Sequence, residues 1–254
     1  MRRANGLPLP PERLNVHHAF YIGASGEISR EEAKHACRVL RLHVGDEIQA
    51  LDGKGGRFQA RIAELHDDGG TVEILRALPS NESAMRLTVY QGIPKAEKME
   101  LLAQKLTELG VARFVPVRME RCVVKLDAKE AEKRAQRLER IAQEAVKQCG
   151  RALPMEIAPA MDFGAALSDM QKQDLLLTPW EEAQGLRMTD VRQKMPNVTH
   201  CGIVIGTEGG ISEQEIERMK AVGAIPVTLG TRILRTETAA IAAATLAMAL
   251  WGDI

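Results

Sequence analysis

The chain has 254 residues, of which 45% are hydrophobic and 27% are charged, and its formal net charge is zero, as in an ordinary soluble protein. No apolar run reaches the roughly 18 residues of a membrane span, and residues 1–11 lack the apolar stretch of a secretory signal, so we expect no membrane and a cytoplasmic location. The scattered cysteines form no C-x-x-C pair, and His17 and His18 are the only close histidine pair, which argues against a metal site or a disulfide framework.

The first part of the chain is predicted to be a proline-rich leader followed by a small β domain. Residues 1–17 are expected to be flexible, and the domain is expected over residues 18–79. Phe20 to Ile22 is predicted to be a strand, and the capping-box pattern Ser29 to Glu32 opens a predicted helix that runs through about Leu40. A hairpin turn at 52–56 and further strands are predicted at 46–51, 57–65 and 71–75. These elements favour a barrel-like β domain.

A polar, turn-forming segment at 79–83 divides the chain, and beyond it strands and helices alternate. Helices with one apolar face are predicted at 96–109 and 128–149, and an alanine-rich helix begins near Thr236. Strands are predicted at 87–93, 111–117, 155–158, 175–178, 201–205 and 225–228. This alternation predicts an α/β domain over residues 84–254, with a sheet covered by helices on both faces.

Two glycine-marked turns near the end of the chain are the strongest candidates for a ligand site. The first is Gly206-Thr207-Glu208-Gly209-Gly210, and a capping box at Ser212 to Glu215 follows it. The second runs from Leu229 to Thr238 and leads into the alanine-rich helix. In parallel sheets the ligand crevice lies at the carboxyl ends of the strands, where both turns are expected. The first turn matches neither a phosphate-binding nor a dinucleotide fingerprint, and a tight turn without a ligand is the alternative for it.

Together these turns resemble the RsmE family, the ribosomal RNA uridine-N3 methyltransferases of the SPOUT superfamily. Gly206 to Gly210 is similar to the family's GPEGG turn, with Thr207 where the family usually has proline, and Leu229 to Ala239 is similar to its LGxRILRTETA turn. His35 to Gly53 resembles the PUA-like domain that precedes the catalytic domain in this family. The resemblance implies a homodimer and a trefoil knot, in which Thr236 to Trp251 is the threaded segment.

The resemblance also implies a site for S-adenosylmethionine and a chemistry for its use. Uridine N3 is an imide that must lose its proton before it accepts a methyl group, so a cation near the ring oxygens would help. Arg232 and Arg235 could supply this charge, and Glu237 could orient one of them or accept the proton. Alternatively, these three residues form only an internal ion pair. The cofactor would lie on backbone groups of Thr178, Gly206, Glu208, Gly209, Leu229, Gly230 and Leu234.

Basic residues provide candidate RNA contacts even though the net charge is zero. One group recurs at helical spacing in the first domain and includes Arg38 and Arg41, and a second group between 113 and 147 includes Arg121. Interleaved acidic residues make a solvated helix face the alternative, but family-like sequence favours these three arginines. The expected partner is ribosomal RNA or the small ribosomal subunit, recognised by shape because only 3% of residues are aromatic. A different RNA target and an inert RNA-binding protein remain open.

Overall fold

The computed structural model describes residues 19–123, 128–183 and 185–254, so the leader predicted at residues 1–17 lies outside the described residues. The chain divides into two compact units. Among the described residues, 19–82 and 147–153 form the first, and those within 83–146 and 154–254 form the second. Within the described ranges, no helix is long and apolar enough to cross a membrane.

The first unit is built on a mixed sheet of five strands. They are β1 (Ala19–Tyr21), β2 (Glu27–Ile28), β3 (Glu47–Leu51), β4 (Arg57–His66) and β5 (Gly69–Leu78). Their order is β1-β3-β4-β5-β2, with a parallel pair between β1 and β3 and antiparallel pairs elsewhere. The buried core includes Phe20, Ile48 and Ile62. Apart from the short strand β2, all of these strands are predicted by the sequence.

The helix of the first unit differs from its prediction. Helix α1 covers only Arg30–His35 and continues as one π-helical turn over Ala36–Leu40, so the prediction of a regular helix through Leu40 is wrong in its second half. The start is as predicted, because the Ser29 hydroxyl accepts a hydrogen bond from the Glu32 amide at 3.3 Å. The chain leaves the π-helical turn at Arg41, whose φ of 55° lies in the left-handed region. The basic residues of this segment therefore do not follow one regular helical face.

The second unit contains the predicted parallel sheet. Its strands are β6 (Arg86–Gly92), β7 (Arg113–Arg118), β8 (Glu156–Ile157), β9 (Met161–Asp162), β10 (Leu175–Pro179), β11 (His200–Ile205) and β12 (Ala224–Val227). The order is β12-β10-β11-β6-β7-β8, with β9 also paired to β7, and every pairing is parallel. The prediction of an α/β fold is confirmed, and only β9 was not expected.

Helices cover both faces of this sheet, as the sequence predicts. They are α2 (Ala96–Glu108), α3 (Ala128–Cys149), α4 (Phe163–Met170), α5 (Met188–Lys194), α6 (Glu213–Ala221) and α7 (Thr236–Trp251). Side chains alternate along β10, so that Leu177 packs in one core with Ala244 of α7. The neighbouring Leu176 packs in the core on the other face, with Ile216 of α6. Helices α4 and α5 were not predicted.

Helix α7 packs closely against its neighbours because the side chains on its buried side are mostly alanine. Ala240, Ala243, Ala244 and Ala247 are fully buried, and the helix packs on α2, β6 and β11. Two hydrogen bonds hold the end of α7. Arg192 Nε of α5 donates to the Leu250 carbonyl at 2.6 Å, and Trp251 Nε1 donates to the carbonyl of Met195, the residue after α5, at 2.8 Å. The threading of this segment as a knot stays a prediction of the family resemblance.

Candidate functional site

A cavity of about 430 Å³ opens at the carboxyl edge of β6, β10, β11 and β12. Segments that follow these strands line it, including Trp180 after β10, Gly206 after β11 and Leu229 after β12, and Lys98 reaches it from α2. Both glycine turns therefore lie at the sheet edge where the parallel topology places a ligand crevice. The volume lies within the range of small-molecule sites in proteins.

The first glycine turn is close-packed and internally bonded. A side chain at Gly206 would place its Cβ 2.8 Å from Ile211 and 2.9 Å from the backbone of Gly210, so only glycine fits. The Thr207 hydroxyl accepts from the Gly209 amide at 3.2 Å and donates to the carbonyl of Arg121 at 3.2 Å or of Gly210 at 3.4 Å. Threonine in place of the family's proline thus restrains the turn through hydrogen bonds.

The helix after the first turn starts with the predicted capping box. Ser212 Oγ accepts from the Glu215 amide at 3.3 Å, and Glu215 Oε2 accepts from the Ser212 amide at 3.1 Å. The other oxygen of Glu215 accepts from the Glu120 amide at 2.8 Å. One carboxylate therefore fixes both the start of α6 and the loop after β7.

Beneath the first turn, a buried polar network joins three segments. Gln91 at the end of β6 is fully buried, and its Nε2 lies 3.1 Å from the Gly206 carbonyl, 2.8 Å from Thr236 Oγ1 and 2.9 Å from the Gly92 carbonyl. The Thr236 hydroxyl in turn donates to the Gly206 carbonyl at 2.6 Å. The end of β6, the first turn and the start of α7 are therefore held together at the base of the cavity.

A charged cluster links the same segments beside the cavity, and two of its members, Lys98 and Glu208, line the cavity. Lys98 Nζ lies 3.2 Å from Glu208 Oε1 and 3.1 Å from Glu237 Oε2. Burial opposes ionisation of both glutamates, but backbone amides and Lys98 outweigh burial and lower the pKa of each carboxyl. Burial likewise opposes the charge on Lys98, but the close carboxylates of Glu237 and Glu208 outweigh it and raise the pKa of the ammonium. All three side chains are therefore charged at neutral pH.

The two arginines of the second turn are exposed and unpaired among the described residues, whereas Glu237 is ion-paired. Arg232 and Arg235 line the cavity and are exposed, and neither guanidinium forms a hydrogen bond or an ion pair with any residue that the structure describes. Glu237 pairs instead with Lys98. The ion pair of Glu237 is therefore with Lys98 and not with a neighbouring arginine, and two cationic groups are available to an anionic ligand.

Five of the residues predicted to bind the cofactor line the cavity, and two do not. The five are Gly206, Glu208, Leu229, Gly230 and Leu234. Gly230 has a φ of 117°, which strongly favours glycine. The Thr178 side chain is buried against the Val204 carbonyl at 3.3 Å, while its neighbours Pro179 and Trp180 reach the cavity. The Gly209 carbonyl accepts from Arg121 Nη1 at 2.9 Å.

The arginines predicted to contact RNA lie in both units. Arg38 and Arg41 belong to the first unit, where Arg38 forms a surface ion pair with Asp67 and Arg41 is exposed. Arg121 belongs to the second unit, and its guanidinium lies against the first glycine turn. Arg121 therefore supports the turn directly. The RNA contacts of all three stay predictions.

Sequence reasoning missed Lys98 and Gln91, although each carries a signal. Gln91 is a polar residue within the otherwise apolar strand 87–93, and a buried polar side chain in such a strand needs partners. Lys98 lies in the first turn of the helix that follows this strand, and this strand ends at the same sheet edge as the glycine turns. The residues that start α2 could therefore have been added to the candidate site.

Comparisons with known proteins agree with this architecture. Residues 81–248 match the family model of an RNA methyltransferase domain, and residues 28–75 match that of an RNA methyltransferase PUA domain. Among curated relatives, the ribosomal RNA small subunit methyltransferase E of Bacillus subtilis is 33% identical over 217 residues, which cover 84% of this chain and 85% of that protein. The similarity thus includes both the β domain and the α/β domain.

Similar solved structures include proteins with the cofactor bound. A ribosomal RNA small subunit methyltransferase E from Neisseria gonorrhoeae, bound to S-adenosyl methionine, is 33% identical with a TM-score of 0.82, covering 93% of this chain and 99% of that one. A methyltransferase from Legionella pneumophila, also with bound cofactor, is 31% identical with a TM-score of 0.83, covering 95% of this chain and 100% of that one. The likeness thus extends over most of both chains.

Proposed function

Because this chain belongs to the RsmE family of ribosomal RNA small subunit methyltransferases, we propose that it transfers the methyl group of S-adenosylmethionine to N3 of a uridine in small-subunit ribosomal RNA. The observation that carries the proposal is the cavity at the sheet edge. Both family-like turns line it, and they bring Arg232 and Arg235 to it without a hydrogen bond or ion pair to any described residue. An enzyme of this kind would work in the cytoplasm, where ribosomes are assembled.

The residues around the cavity suit the cofactor in shape and charge. Apolar side chains for a planar adenine ring include Ile205, Leu229 and Leu234. The turns expose backbone groups where glycine allows close approach, at Gly206 and Gly230. The cavity lining also combines the carboxylates of Glu181 and Glu208, which suit the cofactor's cationic groups, with the ammonium of Lys98, which suits its carboxylate. The cavity therefore fits a zwitterionic nucleoside of this size.

Within this site the protein's task is to prepare the uracil ring and exclude competing reactions. The bound cofactor supplies a methyl group on a positively charged sulfur, which is already a strong electrophile. Arg232 and Arg235 would stabilise the uridinate anion by placing positive charge near its ring oxygens. Glu237 is a weak base because its pKa is lowered, and it is held by Lys98 rather than by an arginine. We therefore propose that Glu237 holds the Lys98 side chain in position and does not accept the proton of the uridine.

The proposal extends to domains and assembly. Residues 18–79 would form the PUA-like RNA-binding domain, with Arg38 and Arg41 as phosphate contacts, and residues 84–254 would form the methyltransferase domain. The proposed state is a homodimer, as the family resemblance implies. Leu101 of α2 and Leu246 of α7, two helices that pack together, leave apolar side chains exposed that a second copy could cover.

The catalytic assignment is tested by Arg235→Ala. The side chain is exposed, so the variant should keep its fold and oligomeric state, and methyl transfer should fall at least about tenfold because the anion loses a stabilising charge. Arg86→Ala is the matched control, since Arg86 is also exposed but begins β6 at the opposite edge of the sheet. Wild-type turnover by Arg235→Ala would exclude a catalytic role for this arginine.

Two rival functions are separated by simple measurements. Calorimetry with S-adenosylmethionine tests whether the chain is instead an inert RNA-binding protein, because an absence of binding at millimolar cofactor would exclude a methyltransferase. Mass spectrometry of the methylated nucleoside tests a methyltransferase with another target, since the proposal requires 3-methyluridine from the small subunit.

A further inference from the structure

Trp180 is the only aromatic residue among the described residues that line the cavity, and its backbone is firmly placed. It directly follows β10, and its amide donates to the Val227 carbonyl of β12 at 3.1 Å, so the pairing of these two strands continues to the cavity. Its carbonyl accepts a hydrogen bond from the Ala183 amide at 3.1 Å. The backbone that carries the indole ring is therefore held on both sides.

The indole ring of Trp180 is backed by helix α6. The residue is partly buried and packs against the core on the α6 face of the sheet, which contains Leu176 and Ile216. The Lys220 ammonium of α6 lies over the ring, 5.7 Å from its centroid, and is itself held by the Glu217 carboxylate at 2.8 Å. Because one ring face meets this cation, the opposite face or an edge meets the cavity. The cavity thus has a preformed aromatic surface.

Trp180 and Arg235 approach the cavity from opposite faces of the sheet. Trp180 packs on the α6 side, where Ile211 adds a second apolar side chain to the cavity lining. Arg235 immediately precedes α7, which packs in the core on the other face. The cavity therefore offers a flat aromatic surface on one side. On the other side it offers the arginine that the proposed function assigns to the uracil ring.

Resting on the proposed function, we propose that Trp180 stacks on the adenine ring of the cofactor and holds it on the α6 side of the cavity. Adenine is the largest flat part of S-adenosylmethionine, and an indole ring matches it in shape and in π character. The smaller uracil ring belongs with the arginines, which leaves the aromatic surface to the adenine. Trp180 is therefore a binding residue, and its loss should raise the KM for the cofactor while kcat changes little.

Intrinsic fluorescence tests the stacking directly, because the chain has only two tryptophans. Trp251 ends α7, a helix of 16 residues whose first residue, Thr236, lines the cavity, so it lies about 22 Å along the helix from that residue. A purine stacked on indole quenches its emission. S-adenosylmethionine should therefore quench the wild type and Trp251→Phe but leave the emission of Trp180→Phe unchanged. An absence of quenching in Trp251→Phe at saturating cofactor, or quenching of the wild type by uridine but not by adenosine, would overturn the proposal.

Calorimetry separates the aromatic ring from mere bulk. Trp180→Leu keeps an apolar side chain against α6 but removes the ring, so the affinities for S-adenosylmethionine and S-adenosylhomocysteine, which share the adenine, should both fall about tenfold. Trp180→Phe keeps a smaller ring and should lose no more than about threefold.

The matched control is Trp251→Phe, which changes the other tryptophan, outside the cavity lining, and should bind both ligands as the wild type does. Unchanged affinity in Trp180→Leu, or equal losses in Trp180→Leu and Trp180→Phe, would overturn the proposal. A wild type that binds neither ligand would refute the proposed function instead.

Discussion

Gln91→Leu should loosen the base of the cavity because it removes the donor that joins three segments. The amide nitrogen of Gln91 lies within 3.1 Å of the Gly206 carbonyl, Thr236 Oγ1 and the Gly92 carbonyl. Leucine has a similar volume, so the change removes polar contacts and opens little space. The effect of the substitution therefore reports on the network itself.

The magnitude follows from the number of hydrogen bonds. Two N–H groups serve the three acceptors, and a buried hydrogen bond contributes about 1 kcal/mol net, so the expected loss is about 2 kcal/mol. Leucine also removes the buried Gln91 Oε1, for which the described structure provides no partner, and this offsets part of the loss. In a protein of this size the midpoint of thermal unfolding should fall by roughly 4 to 8 °C.

The assay is thermal unfolding followed by tryptophan fluorescence, because Trp180 and Trp251 both belong to the second unit. Thr236→Val provides a graded comparison. It removes one hydroxyl but leaves the Gly206 carbonyl bonded to Gln91 at 3.1 Å, so its loss should be about half as large. Cofactor affinity should fall in both variants, since Gly206 lines the cavity. A shift below about 1 °C in Gln91→Leu would refute the structural role assigned to this network.

Two further predictions concern the first turn and acid stability. Thr207→Val removes the hydroxyl that accepts from the Gly209 amide, so calorimetry should show cofactor affinity at least about threefold weaker with a nearly unchanged fold. Burial opposes ionisation of Asp169, but hydrogen bonds from Lys172 and Arg113 outweigh it and lower the pKa of Asp169 below 3.8. This contribution to stability is present above about pH 4 and is lost as pH falls through the folded-state pKa, so Asp169→Asn should show a shallower loss of thermal stability in acid. An equally steep loss in that variant would contradict the assignment.

The elements of this fold could be predicted wherever periodicity and capping act locally. The bounds predicted for α3 agree with the structure, and the Ser212 capping box is present. The elements that were not predicted are short and lack a clear hydrophobic periodicity. Helix α4 is short and contains Gly164, a poor helix former, and β9 has only two residues. The π-helical turn at 36–40 has no recognised sequence signal.

The site could be predicted only where its residues are adjacent in sequence. The two glycine turns and their arginines are continuous segments, and a parallel sheet places both at one edge. The partners of Lys98 lie more than a hundred residues away along the chain, at Glu208 and Glu237, so their meeting depends on how α2 and α7 pack. Local pattern could not reveal that Glu237 pairs with a lysine rather than with a neighbouring arginine.

The central claim is tested most directly by methyl transfer to its proposed substrate. Small ribosomal subunits from a strain that lacks this gene would be incubated with the protein and tritiated S-adenosylmethionine, and the labelled nucleoside identified by mass spectrometry. We predict label in 3-methyluridine at one site of the small-subunit RNA, with little label when Arg235→Ala replaces the wild type. Label in another nucleoside, or none from a protein that binds the cofactor, would contradict it.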